Sequence, residues 1–387
     1  MAVTKIDSSM LEDVGGANSL VKLDSNAKIP AAAAANLSVS PGPLTSASDP
    51  AIDSNKTLGT EWLNTTSGEM YICTDATAGA NVWTNVGAGS GNVKPWAFSA
   101  GGEISVYTMG GWLAGGGLTN KIEKISVTAD ANATDISNLT ATSHGWGGAS
   151  SSTHGYTNAG GAGMGSTTAH NRIEKFQFSS DGDAADIADM TVSKYNRSGH
   201  SMATHGYSTG GQNGPAPTSV NVIDRYPFAS DANATDVGDL LQIRCLSASA
   251  SDTDYGYCSG GESGPGDTNT IQRFQFVASA NSTDVGNLVN SVAHPAGHTY
   301  ITHGYVCGNG NVIQRFSYAS SGDATDLADL TWSLAHGQGS ESTTYGYQMG
   351  GYPPSNVIQK FAFVSTANAT DVGDLSESKA AVGTSHN

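Results

Sequence analysis

Apolar and aromatic positions in this 387-residue chain come in short runs broken by Gly, Asn, Asp and Ser, and from Tyr107 onward the same order of runs is written repeatedly. In one copy, Ser201 to Thr204, Gly206 to Thr209, Val222 to Phe228 and Thr235 to Leu240 read as four β runs separated by turn-rich segments. Two landmarks keep step through the copies. A Thr-Asp step recurs at Asp135, Asp236, Asp284, Asp326 and Asp371, with Ala-Asp at Asp186, giving spacings of 51, 50, 48, 42 and 45 residues. A Gly-Tyr step recurs at Tyr156, Tyr207, Tyr257, Tyr305 and Tyr347, with Val106-Tyr107 as its first copy. Four strands of about five residues in a unit of about 48 is the arithmetic of a propeller blade. The expected fold is therefore all-β, with a six-bladed β-propeller over residues 94–387. A solenoid would show shorter periods and distinct capping repeats.

The two ends of the repeat region complement each other. The last unit runs out at Asp374-Leu375 and SESKAAVGTSHN, reaching only the inner strand of a further unit, while the first begins on its second strand at Glu103-ISVYTMGG. Ala380 to Asn387 is expected to pair beside Ile104 to Met109 and close the ring, removing two free edges.

Ahead of the repeats, residues 1–40 show little apolar periodicity beyond a short helix near Ser9 to Val14, capped by Ser8 or Ser9. Such a head makes no core of its own and is expected to dock on partner chains, either its own copies or a larger assembly. Residues 41–93 form a second segment. It holds a Pro/Ser connector, a small β-hairpin module from Leu58 to Val86 with turns at Thr66-Ser67-Gly68 and Ala78-Gly79-Ala80-Asn81, and a GAGSGN linker from Gly87 to Asn92. A module of about 30 residues leans on neighbours.

Composition acts mainly by exclusion. A formal charge of −17 argues against nucleic acid or anionic membrane as a partner, since both need a basic surface. Cys73, Cys245, Cys258 and Cys307 stand at unrelated spacings without a CxxC, so neither a disulfide nor a zinc site is expected. No 18-residue apolar run and no basic-then-apolar leader occurs, which predicts neither membrane insertion nor a signal peptide.

Two stretches resemble known families. LVKLDSNAKIPAAAAANL, from Leu20 to Leu37, and the following GTEWLNTTSGEMYICTDATAGANVW resemble the N-terminal portion of bacteriophage tail-fibre and virion appendage proteins, especially those of marine and cyanobacterial phages. The resemblance implies a virion location after synthesis in the host cytoplasm, docking on other virion proteins through residues 1–93, and a homo-oligomer, commonly a trimer. The Gly-Tyr followed by a Gly pair, as at Tyr207 with Gly210-Gly211 and Tyr347 with Gly350-Gly351, resembles the kelch repeat. The fourth-strand Trp of that repeat is absent, and an Asp-plus-Leu step such as Asp236 and Leu240 stands in its place.

Within the repeats, the third strand places a cation at Lys124, Lys175, Arg225, Arg273, Arg315 and Lys360, and the following turn places an acid at Asp135, Asp186, Asp236, Asp284, Asp326 and Asp371. Equivalence in every unit favours a structural ring of ion pairs or hydrogen bonds over a binding site. The turns at Asp130, Asp181 and Asp231 cluster oxygens but lack a calcium-loop frame, so no metal and no cofactor is expected. His154, His205 and His303 interchange with Tyr255 and Tyr345, which suits packing rather than a general base. Glu262 and Glu341 could serve a glycosidase, but nothing marks them as facing each other.

Uniform turns join strands three and four, whereas the loops joining strands two and three, and four and one, vary on one shared face. That face would gather Trp112, Trp146, Tyr195, Asn196, Arg197, Trp332, His336 and Tyr352, aromatic planes with polar neighbours that suit sugar rings. The expectation is a non-enzymatic fibre protein that adheres to a host-surface glycan or receptor. The alternatives are a structural or decorating virion protein and a glycan-degrading tailspike.

Overall fold

The computed structural model describes residues 42–86, 105–145, 147–158, 160–161, 169–213, 218–264, 266–308, 310–333, 335–380 and 382–386. The head and its helix near Ser9, the Gly87 to Asn92 linker, Ile104, Trp146 and Asn387 lie outside them. The chain divides into two compact units, Met1–Pro95 and Trp96–Asn387. Among the described residues both are built of strands without helices.

In the first unit, Leu44–Ser46, Glu61–Asn64, Met70–Asp75 and Val82–Asn85 form one sheet in chain order, the first pair parallel and the rest antiparallel. Tyr71, Cys73 and Trp83 are its buried core, and Trp62 meets Trp83 edge-on at 5.8 Å. Asn64 Oδ1 accepts the Thr66 and Ser67 amides and Gly68 takes a φ of +76°, which turns the first hairpin. The segment read as a connector supplies a strand, because Leu44–Ser46 finds unpaired backbone along Trp62–Asn64.

The second unit repeats one four-stranded antiparallel arrangement. In repeat 3 the strands are Ser198–Ser201, His205–Thr209, Val222–Pro227 and Thr235–Asp239. The first lies three residues ahead of the expected Ser201 to Thr204, and Met202 to Thr204 make the turn. Repeats 2 to 5 are separate sheets. Repeat 6 and repeat 1 join in one eight-stranded sheet, since the long strand Thr370–Ala380 ends beside Trp112 and Leu113. Gly383–His386 pairs with Val106–Met109 and so supplies repeat 1 with its first strand. The first strands, Gly147–Ser150, Ser198–Ser201, Ala248–Ser251, Ala296–Thr299, Gln338–Glu341 and Gly383–His386, neighbour one another in that order, and the last returns to the first.

Three side-chain rules explain why this sequence repeats. The first concerns the Gly of Gly-Tyr, which faces the third-strand aromatic directly across the ladder: Gly155 and Phe176, Gly206 and Tyr226, Gly256 and Phe274, Gly304 and Phe316, Gly346 and Phe361. A Cβ on any of these glycines would lie 2.3–2.4 Å from the ring. Repeat 1 carries Val106 opposite Ile125, the same volume divided differently. The Tyr that follows is buried and packs on the next repeat's rings, as Tyr207 does on Phe276 at 4.8 Å while its hydroxyl donates to Phe276 O at 2.5 Å.

The second rule concerns the first strands, which are Gly, Ser and Thr because backbone meets backbone there. A Cβ on Gly199 would lie 2.0 Å from Gly148 O. Hydroxyls satisfy the amides of the neighbour, with Ser201 Oγ taking Ser150 N, Thr299 Oγ1 taking Ser251 N and Ser150 Oγ taking His386 N, each at 3.0 Å.

The third is the motif read as a simple turn, which is a staple between repeats. Asn132, Asp183, Asn233, Asn281, Asp323 and Asn368 each accept a backbone N–H four residues into the preceding repeat's fourth strand, where five of the six strands end, for instance Asn233 from Asp189 at 3.0 Å. The residue after each returns its own N–H to the same residue, as Ala234 does to Asp189 O at 2.8 Å. All six junctions are made this way, that between repeats 6 and 1 included.

Candidate ligand-binding face

The landmark acids and the third-strand cations take separate partners. A β-bulge stands in every third-to-fourth strand pair, as between Ile223 and Asp224, and Asp236, Asp284 and Asp371 accept the N–H two residues on, at 3.0, 3.1 and 3.3 Å. Asp186 and Asp326 stand at the same register, and Asp135 pairs with Lys121 at 3.4 Å. The extra residue, such as Val237, is apolar and turns into the core. The cations reach across to the next repeat instead. Lys124 meets Asp181 at 3.2 Å, Lys175 meets Asp231 at 2.5 Å, and Lys360 meets Asp130. Where that turn carries Ser279, Ser321 or Thr366, the cation is Arg225, Arg273 or Arg315, lying against the hydroxyl of Tyr207, Tyr257 or Tyr305. The carboxylates of the three calcium-like turns are thus engaged by lysines. Among the described residues no three His, Cys, Asp or Glu side chains gather as metal ligands.

His154, His205 and His303 bond the hydroxyl of the preceding Thr through Nδ1, each at 2.8 Å. In the two repeats with Tyr at this position the ring sits under the third-strand cation, Arg273 on Tyr255 and Lys360 on Tyr345.

At the other end of the sheets, in four of the repeats the loop entering the first strand bridges to the loop leaving the second: His144 with Gly161, Tyr195 with Gln212, Cys245 with Glu262, Ala335 with Tyr352. Ten residues after five of the six landmark acids the chain turns left-handed, at Gly145, Asn196, Leu246, His294 and His336, with φ of +51° to +69°. Left-handed backbone at Leu and His costs on the order of 1 kcal/mol or more each, and such positions concentrate at ligand clamps. Asn196 N donates to Gly145 O at 2.9 Å and Leu246 N to Asn196 O at 2.8 Å, so successive loops are tied together. These five residues, with Arg197, Ser247, Pro295 and Gln338, line a cavity of about 20 Å³.

A run of rings leads away from that cavity. His294 and His336 stack with centroids 3.6 Å apart, His336 meets Tyr352 edge-on at 6.0 Å, and Tyr352 stacks on Trp112 at 5.6 Å with planes 12° apart. His294 Nε2 lies 3.2 Å from Glu262 Oε1. Burial, with His294 adjacent, pushes His336 down to about 4, so it is neutral at physiological pH.

Trp112, His336 and Tyr352 converge, and Tyr352 is 47% exposed. Tyr195 is half-buried, meeting His144 edge-on at 6.0 Å, and Asn196 is turned onto Gln212. Trp332 is 59% exposed, and its backbone N–H donates to Gln359 Oε1 of the third strand. Arg197 is not a surface group. It is 4% exposed, and burial pushes its guanidinium down to about 9. His294 and the buried pairs Lys194–Asp224, at 3.0 Å, and Lys379–Glu123 were missed. Counting ten residues from Asp284 would have found His294.

The first strands enclose a second, separate cavity of about 50 Å³, lined by Ser, Thr and Gly with His200, Glu341 and His386. Burial pushes the Glu341 carboxyl up to about 8 and the His386 imidazole down to about 4, so both are neutral between those values despite lying 3.9 Å apart. Glu262 and Glu341 therefore belong to different surfaces. No helix among the described residues is long and apolar enough to cross a membrane. No protein-family model matches this chain, and no curated protein matches it.

Proposed function

We propose that the second unit is a six-bladed, kelch-like β-propeller and that the chain is a bacteriophage virion appendage protein, docked on other virion proteins through residues 1–93 and adhering to host-surface glycan without hydrolysing it. The propeller reading is supported by six like four-strand arrangements whose first strands neighbour one another in a cycle. The adhesion reading rests on one observation, the continuous ring surface of Trp112, Tyr352, His336 and His294 at the ends of variable loops.

Sugars present C–H faces that stack on such planes, while hydroxyls bond polar groups at the edges. Tyr352 and Trp112, stacked nearly parallel and mutually supported, form a platform that loses little entropy on binding. The test is a glycan array and a whole-cell binding assay with the full chain, beside a Trp112→Ala, Tyr352→Ala double variant. Binding by the parent that weakens about fivefold or more in the folded double variant is expected, since removing two stacking planes costs on the order of 1–3 kcal/mol. A folded parent that binds neither glycan nor cell, or a double variant that binds as well, overturns the reading.

A further inference from the structure

Beneath the ring surface the charges do not balance. Lys194 and Arg197 are both buried beside one fully buried carboxylate, Asp224, while the other acid acting on Lys194, Asp236, is exposed. Asp224 is taken up by Lys194 at 3.0 Å and by the Thr191 hydroxyl. The Arg197 Nε, Nη1 and Nη2 have no hydrogen-bond partner among the described residues. A guanidinium offers five donors in a planar fork that matches a carboxylate, and leaving such a group buried and unmatched is strongly unfavourable. Arg197 also lines the 20 Å³ cavity with Asn196, Ser247, His294, His336 and Gln338. That volume holds the head of one small anion and not a sugar ring, given that a water needs about 10–15 Å³. The ring would have to remain above, where His336 passes to Tyr352 and Trp112.

We propose that Arg197 forms the floor of an anion site opening on this face, and that the site takes the carboxylate of an acidic sugar whose ring rests against Tyr352 and Trp112. The inference rests on the glycan-adhesion reading and narrows it from sugars in general to uronic-acid-type sugars. It also accounts for a positive site in a chain whose formal charge is −17: the cation is sunk below the surface, where solvent and neighbouring acids screen it least.

The experiment titrates the full chain with methyl glucuronide, methyl glucoside and sodium acetate by ligand-observed NMR or calorimetry, in parent, Arg197→Gln and Trp112→Ala proteins. The parent is expected to bind the glucuronide at least tenfold more tightly than the glucoside, with acetate competing. Arg197→Gln should lose that preference and keep the glucoside affinity, while Trp112→Ala weakens both sugars. Equal binding of the two sugars by the parent overturns the anion inference and leaves glycan adhesion standing. Acetate binding that depends on Arg197 without any sugar preference overturns the acidic-sugar occupant in favour of a free anion. No sugar binding at all removes the adhesion reading itself. Should Arg197→Gln fail to fold, the sugar preference and acetate competition in the parent still decide.

Discussion

Replacing Gly206 with Val puts a Cβ 2.3 Å from Tyr226 Cζ, 2.5 Å from its Oη and 2.7 Å from its Cε2. Ordinary carbon contacts lie at about 3.5–4.0 Å, so the ring must move by more than about 1 Å within a fully packed junction. Overpacking of this kind costs about 1–3 kcal/mol. Tyr226→Ile alone removes a ring that is 1% exposed and packs on Tyr156 and Phe228, a truncation worth about 2–4 kcal/mol. The pair together recreates Val106 and Ile125, which occupy the same cross-strand register in repeat 1 with both side chains buried. The double variant should therefore cost less than the sum of the singles by at least about 1 kcal/mol. Tyr226→Phe, which keeps the ring found in four other repeats, should cost under about 1.5 kcal/mol. Guanidinium denaturation of the four proteins, followed by circular dichroism and tyrosine fluorescence, measures the cycle. Additivity within about 0.5 kcal/mol, or a neutral Gly206→Val, would refute the volume argument.

Lys379→Val leaves Glu123 buried and charged, and should cost about 3–5 kcal/mol. Adding Glu123→Gln installs the Val292 and Gln314 combination of repeat 5 and should recover most of that loss, read by the same denaturation. Asn233→Ala removes an inter-repeat acceptor and should cost about 1 kcal/mol, whereas Asn233→Asp should be near neutral because Asp183 and Asp323 fill the same place. For pH, the folded chain keeps a proton on Glu341 up to about 8 that the unfolded chain sheds near 4.5, so this group's stability contribution falls as pH rises through that window. Glu341→Gln should flatten the alkaline limb of a melting-temperature profile, and an unchanged limb would contradict the burial. His200, His298 and His386, lowered from 6.5 to about 4, act in the opposite direction. Their contribution is present above 6.5 and is lost as pH falls towards 4, so melting temperature should drop over that range.

The period and the second and third strands were legible because they carry large apolar side chains at fixed distances from Asp and Tyr landmarks. The first strand was misplaced by three residues because Ser, Thr and Gly there answer to a neighbouring backbone and not to a core, leaving no apolar alternation to read. The strand Leu44–Ser46 was invisible for a related reason, since it exists to pair backbone groups. Arg197 was taken for a surface group because a loop position says nothing about how neighbouring loops close over it.

The six copies nevertheless contain more than the landmarks. Some positions that serve the scaffold vary in matched pairs: Gly with an aromatic or Val with Ile, and a third-strand Lys facing an Asp of the next turn or an Arg facing a Ser or Thr there. The Gly–aromatic and Val–Ile pairs fill the same cross-strand space, so a change on one side calls for a change on the other. The left-handed position ten residues after the landmark behaves differently. It runs Gly145, Asn196, Leu246, His294 and His336, spanning small, polar, apolar and aromatic groups in one backbone conformation that only the first two adopt readily. Bridges made by the residue before Gly145, Asn196, Leu246 and His336 hold the backbone there whatever side chain is carried, so the side chains are free of the scaffold's pairing rules. A surface whose backbone is held while its side chains differ from copy to copy can be shaped for a ligand without disturbing the junctions beneath it.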